Sequence, residues 1–432
     1  MKIKGLRWWI VGLVALATVI NYVDRQALGI LWPEISKDLG LGDDSKAVYA
    51  NIAFFFTIAY AISKGLSGRI FDVIGTRLGF VASIVIWSLA AMLHAVATTA
   101  ASFTFFRILL GLGEAGNWPG ATKSNAEWFP TKDRALAQGI FNSGASMGAI
   151  ISAPLIAALF VWIGWQGTFI LIGAIGFLWI VPWLFFNRGI PQMNVLLTDE
   201  EKAYILNDSA AEKVDDQPGL GWSGILKFKQ SWSVIIQRFF FDPIWWFFVL
   251  WLPLYLNEKF GFNVKEIGAF AWIPYVGAAI GSIAGGWMAR RLINNGWNTN
   301  RTRKSVILGG GILMLIGMIA SSQASDPTVA MLLIALILFG FQIAIGNVQT
   351  LPSDYFSNKS VGTLAGLGGT AAALGTILFS TVLIPMISKD SYDLVFLLGA
   401  ALVPFGLAAL FLLGGEIKRV DNPEILDSSF TK

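Results

Sequence analysis

The sequence predicts an all-α polytopic membrane protein, with twelve transmembrane helices in two six-helix halves and both termini cytoplasmic. Three observations predict it. Of 432 residues, 55% are hydrophobic and only 13% are charged, whereas soluble chains carry about 25% charged residues. Apolar segments long enough to cross a bilayer, about 20 residues each, recur along the whole chain. The connections between them alternate between rich and poor in lysine and arginine.

The opening MKIKGLRWWIVGLVALATVI imitates a signal peptide, with a basic start and an apolar run. No small-residue cleavage site follows, and the run leads straight into NYVDRQ, so it reads as an uncleaved first helix. Six spans fall near 8–31, 46–67, 78–98, 101–122, 136–160 and 166–187. Six more fall near 235–257, 266–288, 305–323, 327–350, 361–387 and 393–415. The domains are therefore an N-terminal half at 1–187, a cytoplasmic linker at 188–233 and a C-terminal half with a short tail at 234–432. Within the linker, Thr198 and Glu201 of TDEE fit a capping box that opens a short surface helix.

Lysine and arginine placement sets the orientation. Of 31 such residues, 23 lie on the side of the termini, Lys213, Arg238 and Lys432 among them. Five lie opposite: Lys37, Lys46, Lys259, Lys265 and Lys389. Arg25, Lys64 and Arg107 fall inside spans. The positive-inside rule then places both termini in the cytoplasm. The halves echo each other, since Gly68-Arg-Ile-Phe-Asp72 leaves the second span and Gly286-Trp-Met-Ala-Arg290 leaves the eighth. A repeat about an axis along the membrane normal fits this echo.

Charged groups inside the spans point to function. The fourth span carries Arg107 and Glu114 on one helical face, and the first carries the adjacent pair Asp24–Arg25. Each such charge costs roughly 3 kcal/mol at bilayer depth on insertion scales. Buried ion pairs are poor stabilisers, because desolvation can exceed the Coulomb gain. Counting inward from the helix ends puts Asp24 and Arg107 at one depth, about 10 Å from the outer surface. A charged central cavity, and hence a transport pathway, follows. Lys64, four residues after Tyr60 on the same face, either contacts a substrate carboxylate or snorkels to the headgroups. Asn117, Gln342 and Gln349 are candidate partners for substrate hydroxyls, and Asn142, Ser143 and Ser146 form a polar patch that close helix packing explains equally well. Asp242, just before Pro243, suits a helix cap or kink. The lone histidine, His94, reads as an interfacial bystander.

Several motifs then carry a family resemblance. Gly68-x-x-x-Asp72-x-x-Gly75-x-Arg77 resembles the signature loop of the major facilitator superfamily, as does the WQGTF run at Trp165–Phe169. The resemblance implies a conformational latch at Gly68, Asp72, Gly75 and Arg77. Asp72 can pair with basic groups of a neighbouring helix, and Gly75 permits a tight turn. Val73 departs from the pattern, standing where a basic residue is usual. Arg107-x-x-x-Gly111-x-x-Glu114-Ala115-x-x-x-Pro119, Asn21-Tyr22-x-Asp24-Arg25 and Glu127-Trp128-Phe129-Pro130 are similar to the anion:cation symporter family. KIKGLRWW and KEIGAFAWIP resemble its bacterial hexuronate transporters.

That family implies Asp24 and Glu114 as protonation sites, Arg25 and Tyr60 as substrate contacts, and Arg107 as the partner of the acids. The expected function is proton-coupled import of monosaccharide acids, most of all hexuronates, with other organic anions such as aldonates or aldarates as alternatives. No cofactor is expected; the coupling ion is a proton, with sodium an open alternative. The expected partners are a small organic anion and the lipid bilayer, with no nucleic acid, in a monomer of the bacterial inner membrane. A drug exporter fits less well, since Ser152-Ala153-Pro154 replaces the diagnostic Gly-Pro, and a sensor would need a longer tail. An enzyme is not expected: there are no cysteines, no nucleophile–base constellation and no nucleotide-binding glycine loop.

Overall fold

The computed structural model describes residues 2–208, 219–263, 266–267, 270–379 and 392–421. The charges at Lys213, Lys265, Lys389 and Lys432 and the end of the predicted eleventh span lie outside the described residues. Among the described residues the chain is helical, with one isolated bridge between Ile3 and Leu197 and no strand. Eight described stretches are long and apolar enough to cross a membrane, and two of these run to 55 and 56 residues.

The two long stretches hold α2 (Ser45–Leu93) and α5 (Thr131–Phe186), and each is turned in its interior by one glycine. Gly75 has φ 80° and ψ 165°, and Gly164 has φ 70° and ψ 177°. A side chain would strain such a backbone, so a single glycine reverses the chain here. Each long helix therefore covers two predicted spans.

The predicted fourth span is not one helix. It divides into α3 (Ala100–Glu114) and α4 (Asn117–Trp128). Pro119 causes the break: it has no N–H for the carbonyl of Ala115, four residues earlier, and its ring crowds that carbonyl. The predicted tenth span is α11 (Pro327–Val348), and a short further helix, α12 (Leu351–Tyr355), follows just beyond it. Pro352 there leaves the carbonyl of Val348 without its helical donor.

The chain begins with α1 (Leu6–Asp38), and the linker forms α6 (Asp199–Asp208). The N–H of Glu201 donates to Thr198 Oγ1 at 3.3 Å, as a capping box requires. The Glu201 carboxylate turns elsewhere, however, accepting from the N–H groups of Leu6 and Arg7 at 3.0 and 3.3 Å. It thereby caps α1 and ties the linker to the first helix. After α7 (Trp222–Ile225) come α8 (Lys229–Phe260), α9 (Ile273–Asn294), α10 (Thr299–Ser322), α13 (Val361–Thr376) and α14 (Tyr392–Leu413).

Buried apolar side chains form separate cores. Two draw on residues between Leu6 and Ile205, and one draws on residues between Ile225 and Val420. Glycines let helices from the two groups cross closely. A Cβ on Gly68 would lie 2.1 Å from the Gly362 carbonyl oxygen, and one on Gly286 would lie 2.5 Å from that of Ala135. Both glycines of the sequence echo thus sit where α2 meets α13 and α5 meets α9. Large apolar side chains such as Leu178 (69% exposed) and Val181 (68%) cover the outside, as a surface facing lipid requires.

Candidate functional site

Four charged residues of α1 and α3 meet inside the bundle. Arg25 donates Nε and Nη2 to Glu114 Oε2 at 3.0 and 2.8 Å, and Nη2 also reaches Asn21 Oδ1 at 3.1 Å. Glu114 is fully buried, Asp24 is 1% exposed and Arg107 6% exposed. The expected pairing of Arg107 with the acids is replaced by another arrangement. Arg107 Nη2 donates to the backbone carbonyl of Arg25 at 2.5 Å, and Arg25 takes Glu114 instead. Two turns of helix separate Arg107 from Glu114, about 10 Å, so α1 reaches the acid more directly. Among the described residues, both Asp24 oxygens are buried without a hydrogen-bond partner, as are Glu114 Oε1, Arg107 Nη1 and the Tyr60 hydroxyl.

In front of the arginines lies a chamber of about 190 Å³, walled by Arg25, Tyr60, Lys64, Arg107 and, from the other helix group, Trp246 and Thr376. One water needs about 10–15 Å³ on this measure, so the chamber has room for a ligand the size of a monosaccharide. Asp24 and Glu114 stand behind the arginines and do not line it. The Arg25 guanidinium lies 4.7 Å from the Tyr60 ring centroid and 5.9 Å from that of Trp246. Lys64 does not snorkel: it is 4% exposed, with Nζ 4.5 Å from the Tyr60 ring centroid. Among the described residues it has no ion-pair partner. The glycine run of α13 makes its place, since a Cβ on Gly369 would lie 2.9 Å from Lys64 Cδ and one on Gly366 would lie 2.4 Å from its carbonyl oxygen.

Lys64 and Trp246 also line a smaller chamber of about 30 Å³, together with Asn142, Gln342, Gln349 and the pair Arg238–Asp242. Gln349 Oε1 accepts from Gln138 Nε2 at 3.0 Å and Asn142 Nδ2 at 2.8 Å, while Gln342 Oε1 has no partner. Two expectations change here. Arg238, counted among the loop cations, is buried one helix turn before Asp242, and Asp242 binds it instead of capping a helix. An arginine four residues before an aspartate on an apolar helix was the available signal. Asn117 lines neither chamber; its Nδ2 donates to Thr18 Oγ1 at 3.0 Å and ties α4 to α1. His94 is fully buried, not interfacial, with Nδ1 2.7 Å from the Ala90 carbonyl and its ring stacked on Phe169.

At the Asp72 end the two helix groups close on each other. Asp72 accepts from the N–H groups of Gly362 and Thr363 at 3.0 and 2.6 Å and from Thr363 Oγ1 at 2.6 Å. Lys123 of α4 supplies the base that Val73 lacks, lying 3.3 Å from Asp72 and 3.4 Å from Glu127 and donating to the Asn358 carbonyl. Arg303 binds Asp354 at 2.8 Å and the Thr131 carbonyl at 3.0 Å, and Arg290 binds Asp133 at 2.8 Å. Arg77 is exposed and contributes its carbonyl, which accepts from Trp183 Nε1 at 3.0 Å.

An all-helical bundle with two helix groups, charged chambers between them and a closed end at the signature loop defines a membrane transporter. Residues 14–380 match the model of the Major Facilitator Superfamily, and the chain belongs to that family. It is a multi-pass transporter and not an enzyme. Over 385 residues it is 36% identical to the hexuronate transporter of Escherichia coli K12, covering 88% of each chain. It is 33% identical over 317 residues to the galacturonate transporter of Dickeya chrysanthemi, covering 73% of this chain and 90% of that one. Among solved structures, the proton:xylose symporter XylE superposes with a TM-score of 0.70 at 15% identity, over 96% of this chain and 97% of that one.

Proposed function

We propose that the protein is a proton-coupled importer of monosaccharide acids, hexuronates above all, working as a monomer by alternating access in a bacterial inner membrane. Twelve crossings in two halves, 1–187 and 234–432, joined by a cytoplasmic linker, account for the helices. The positive-inside rule puts both termini and the Asp72 end in the cytoplasm, so this conformation is sealed on the cytoplasmic side.

One observation carries the reading: the Arg25–Glu114 pair, with Arg25 exposed to a monosaccharide-sized chamber and Glu114 hidden behind it. Protonation of Glu114 removes its charge and frees the guanidinium, whose fork suits a substrate carboxylate. Asp24, without a hydrogen-bond partner, is the second proton site, and Arg107 holds the Arg25 backbone in place. Relatives that transport hexuronate and galacturonate support the substrate class. Lys64, a further cation with no ion-pair partner among the described residues, favours aldarates as the second reading, because a dianion would use both cations.

Counterflow of labelled glucuronate in proteoliposomes tests the proposal. The wild type should exchange glucuronate and Arg25→Ala should not. Undiminished exchange by the variant would remove Arg25 from the substrate site.

A further inference from the structure

The transport cycle just described leaves Arg238 and Asp242 without a task. They stand one turn apart on α8, joined by Nε to Oδ2 at 2.6 Å and Nη2 to Oδ1 at 2.7 Å. Both are largely buried, with side chains 8% and 11% exposed. A pair within one helix ties no second element to it, and burying it carries a desolvation cost. Among the described residues at the closed end, the pairs Lys123–Asp72, Arg134–Asp354, Arg290–Asp133 and Arg303–Asp354 each join two elements, which Arg238–Asp242 does not. Fold stability therefore gives a weak reason for Arg238–Asp242.

The surroundings give a better one. Both side chains line the smaller chamber, and among the described residues neither makes another hydrogen bond. Asp242 keeps lone pairs and Arg238 keeps N–H groups to offer. Gln342 Oε1 and Asn142 Oδ1, also on this chamber, are buried and have no partner among the described residues. Gly368 of α13 leaves space for the arginine stem, since a Cβ there would lie 3.3 Å from Arg238 Cγ. The result is an acceptor and a donor held side by side, facing more amide oxygens. A sugar ring presents the matching chemistry, because each hydroxyl donates and accepts. At about 30 Å³ the chamber holds two or three waters, at about 10–15 Å³ each. It takes a hydroxyl edge and not a whole ring. Lys64 and Trp246, shared with the larger chamber, mark where the ring would pass between the two.

We infer that the Arg238–Asp242 pair reads the ring hydroxyls of the transported sugar acid and so sets which monosaccharide acid is accepted. The inference rests on the sugar-acid reading above and adds the C-terminal half's part in selection. The carboxylate goes to the cations of the larger chamber, and the hydroxyl edge opposite it goes to this pair.

The test is a cycle between protein and ligand, read by competition against labelled glucuronate counterflow. Competitors are glucuronate, its singly deoxygenated analogues, galacturonate and the hydroxyl-free cyclohexanecarboxylate. In the wild type one deoxy analogue should compete about tenfold less well than glucuronate, and in Asp242→Asn that gap should close. Cyclohexanecarboxylate should compete equally in both proteins. The same deoxy penalty in both, or an equal loss for every acid including cyclohexanecarboxylate, would overturn the inference. If Asp242→Asn does not fold, as judged by thermal unfolding, Asp242→Glu keeps the charge and extends its reach. That variant should then reorder glucuronate and galacturonate, and an unchanged order would overturn the inference. A wild type that exchanges no sugar acid overturns the transport reading and this inference with it. Intact exchange with unaltered hydroxyl discrimination overturns this inference alone.

Discussion

The Asp72 end and the chamber around Arg25 hold the same kinds of residue but differ in how fully their polar atoms are paired. At the Asp72 end, Asp72 accepts three hydrogen bonds from α13, and Arg303, fully buried, binds Asp354 and a backbone carbonyl. In the chamber region, among the described residues, Asp24 has no partner on either oxygen, and Glu114, Arg107 and Tyr60 each keep one buried polar atom unpartnered. An unmade buried hydrogen bond costs about 1–3 kcal/mol. A fold keeps that cost where a ligand or a proton later removes it. Dense pairing at the Asp72 end suits a latch, and the unpartnered atoms around the Arg25–Glu114 pair suit a site.

Breaking the paired end should have the largest effect. Asp354→Ala leaves Arg303 buried without its carboxylate, a loss of about 3–5 kcal/mol for a broken buried pair. Thermal unfolding in detergent should fall clearly, and an unshifted transition would mean that pairing there is not structural. Glu114→Gln comes next and acts on the other region. It should lose the roughly tenfold accumulation that one pH unit can drive, yet keep counterflow exchange. Accumulation against a gradient by this variant would erase the difference between the regions.

A smaller effect is expected from loosening the latch. The chain has no cysteine, so one introduced at position 370 is a unique label. Thr370 binds the Ala61 carbonyl across α2 and α13 at 2.8 Å. Asp72→Asn weakens the contacts there by about 1 kcal/mol per hydrogen bond, and labelling of Thr370→Cys by an impermeant thiol reagent added on the side of the Asp72 end should rise severalfold. Unchanged labelling would show that Asp72 does not hold this end shut. The smallest effect is expected at Arg77, whose side chain is exposed. Arg77→Ala should change stability by less than about 0.5 kcal/mol, as measured by the same thermal assay.

Much of this contrast was legible in the sequence because charge inside an apolar run has few innocent explanations. Asp24, Arg25, Arg107 and Glu114 stood out for that reason, and Gly75 stood out through the resemblance to the signature loop, which implies a tight turn there. Partner choice was not legible. Whether Arg25 or Arg107 takes Glu114 depends on how α1 lies against α3, which spacing along one helix cannot report. Arg238 was hidden by its position near a predicted span boundary, where a basic residue is counted with the loop. α8 in fact begins at Lys229, nine residues earlier, and carries Arg238 into the bundle. Pro119 signalled the break after α3, but the apolar run of α3 before it was long enough to read as part of one span. Lys123 lies on α4 beside Asp72, where it is the partner that Val73 could not be.

The central claim is that a proton on a buried acid of α1 or α3 exchanges for the hold on Arg25, so substrate and proton bind together. Proton uptake on adding glucuronate to weakly buffered, detergent-purified protein measures this directly. Linked binding predicts an uptake of roughly one proton per bound glucuronate near neutral pH, lost or reduced in Glu114→Gln. Glucuronate binding with no proton uptake, or with the same uptake in Glu114→Gln and Asp24→Asn as in the wild type, would contradict it.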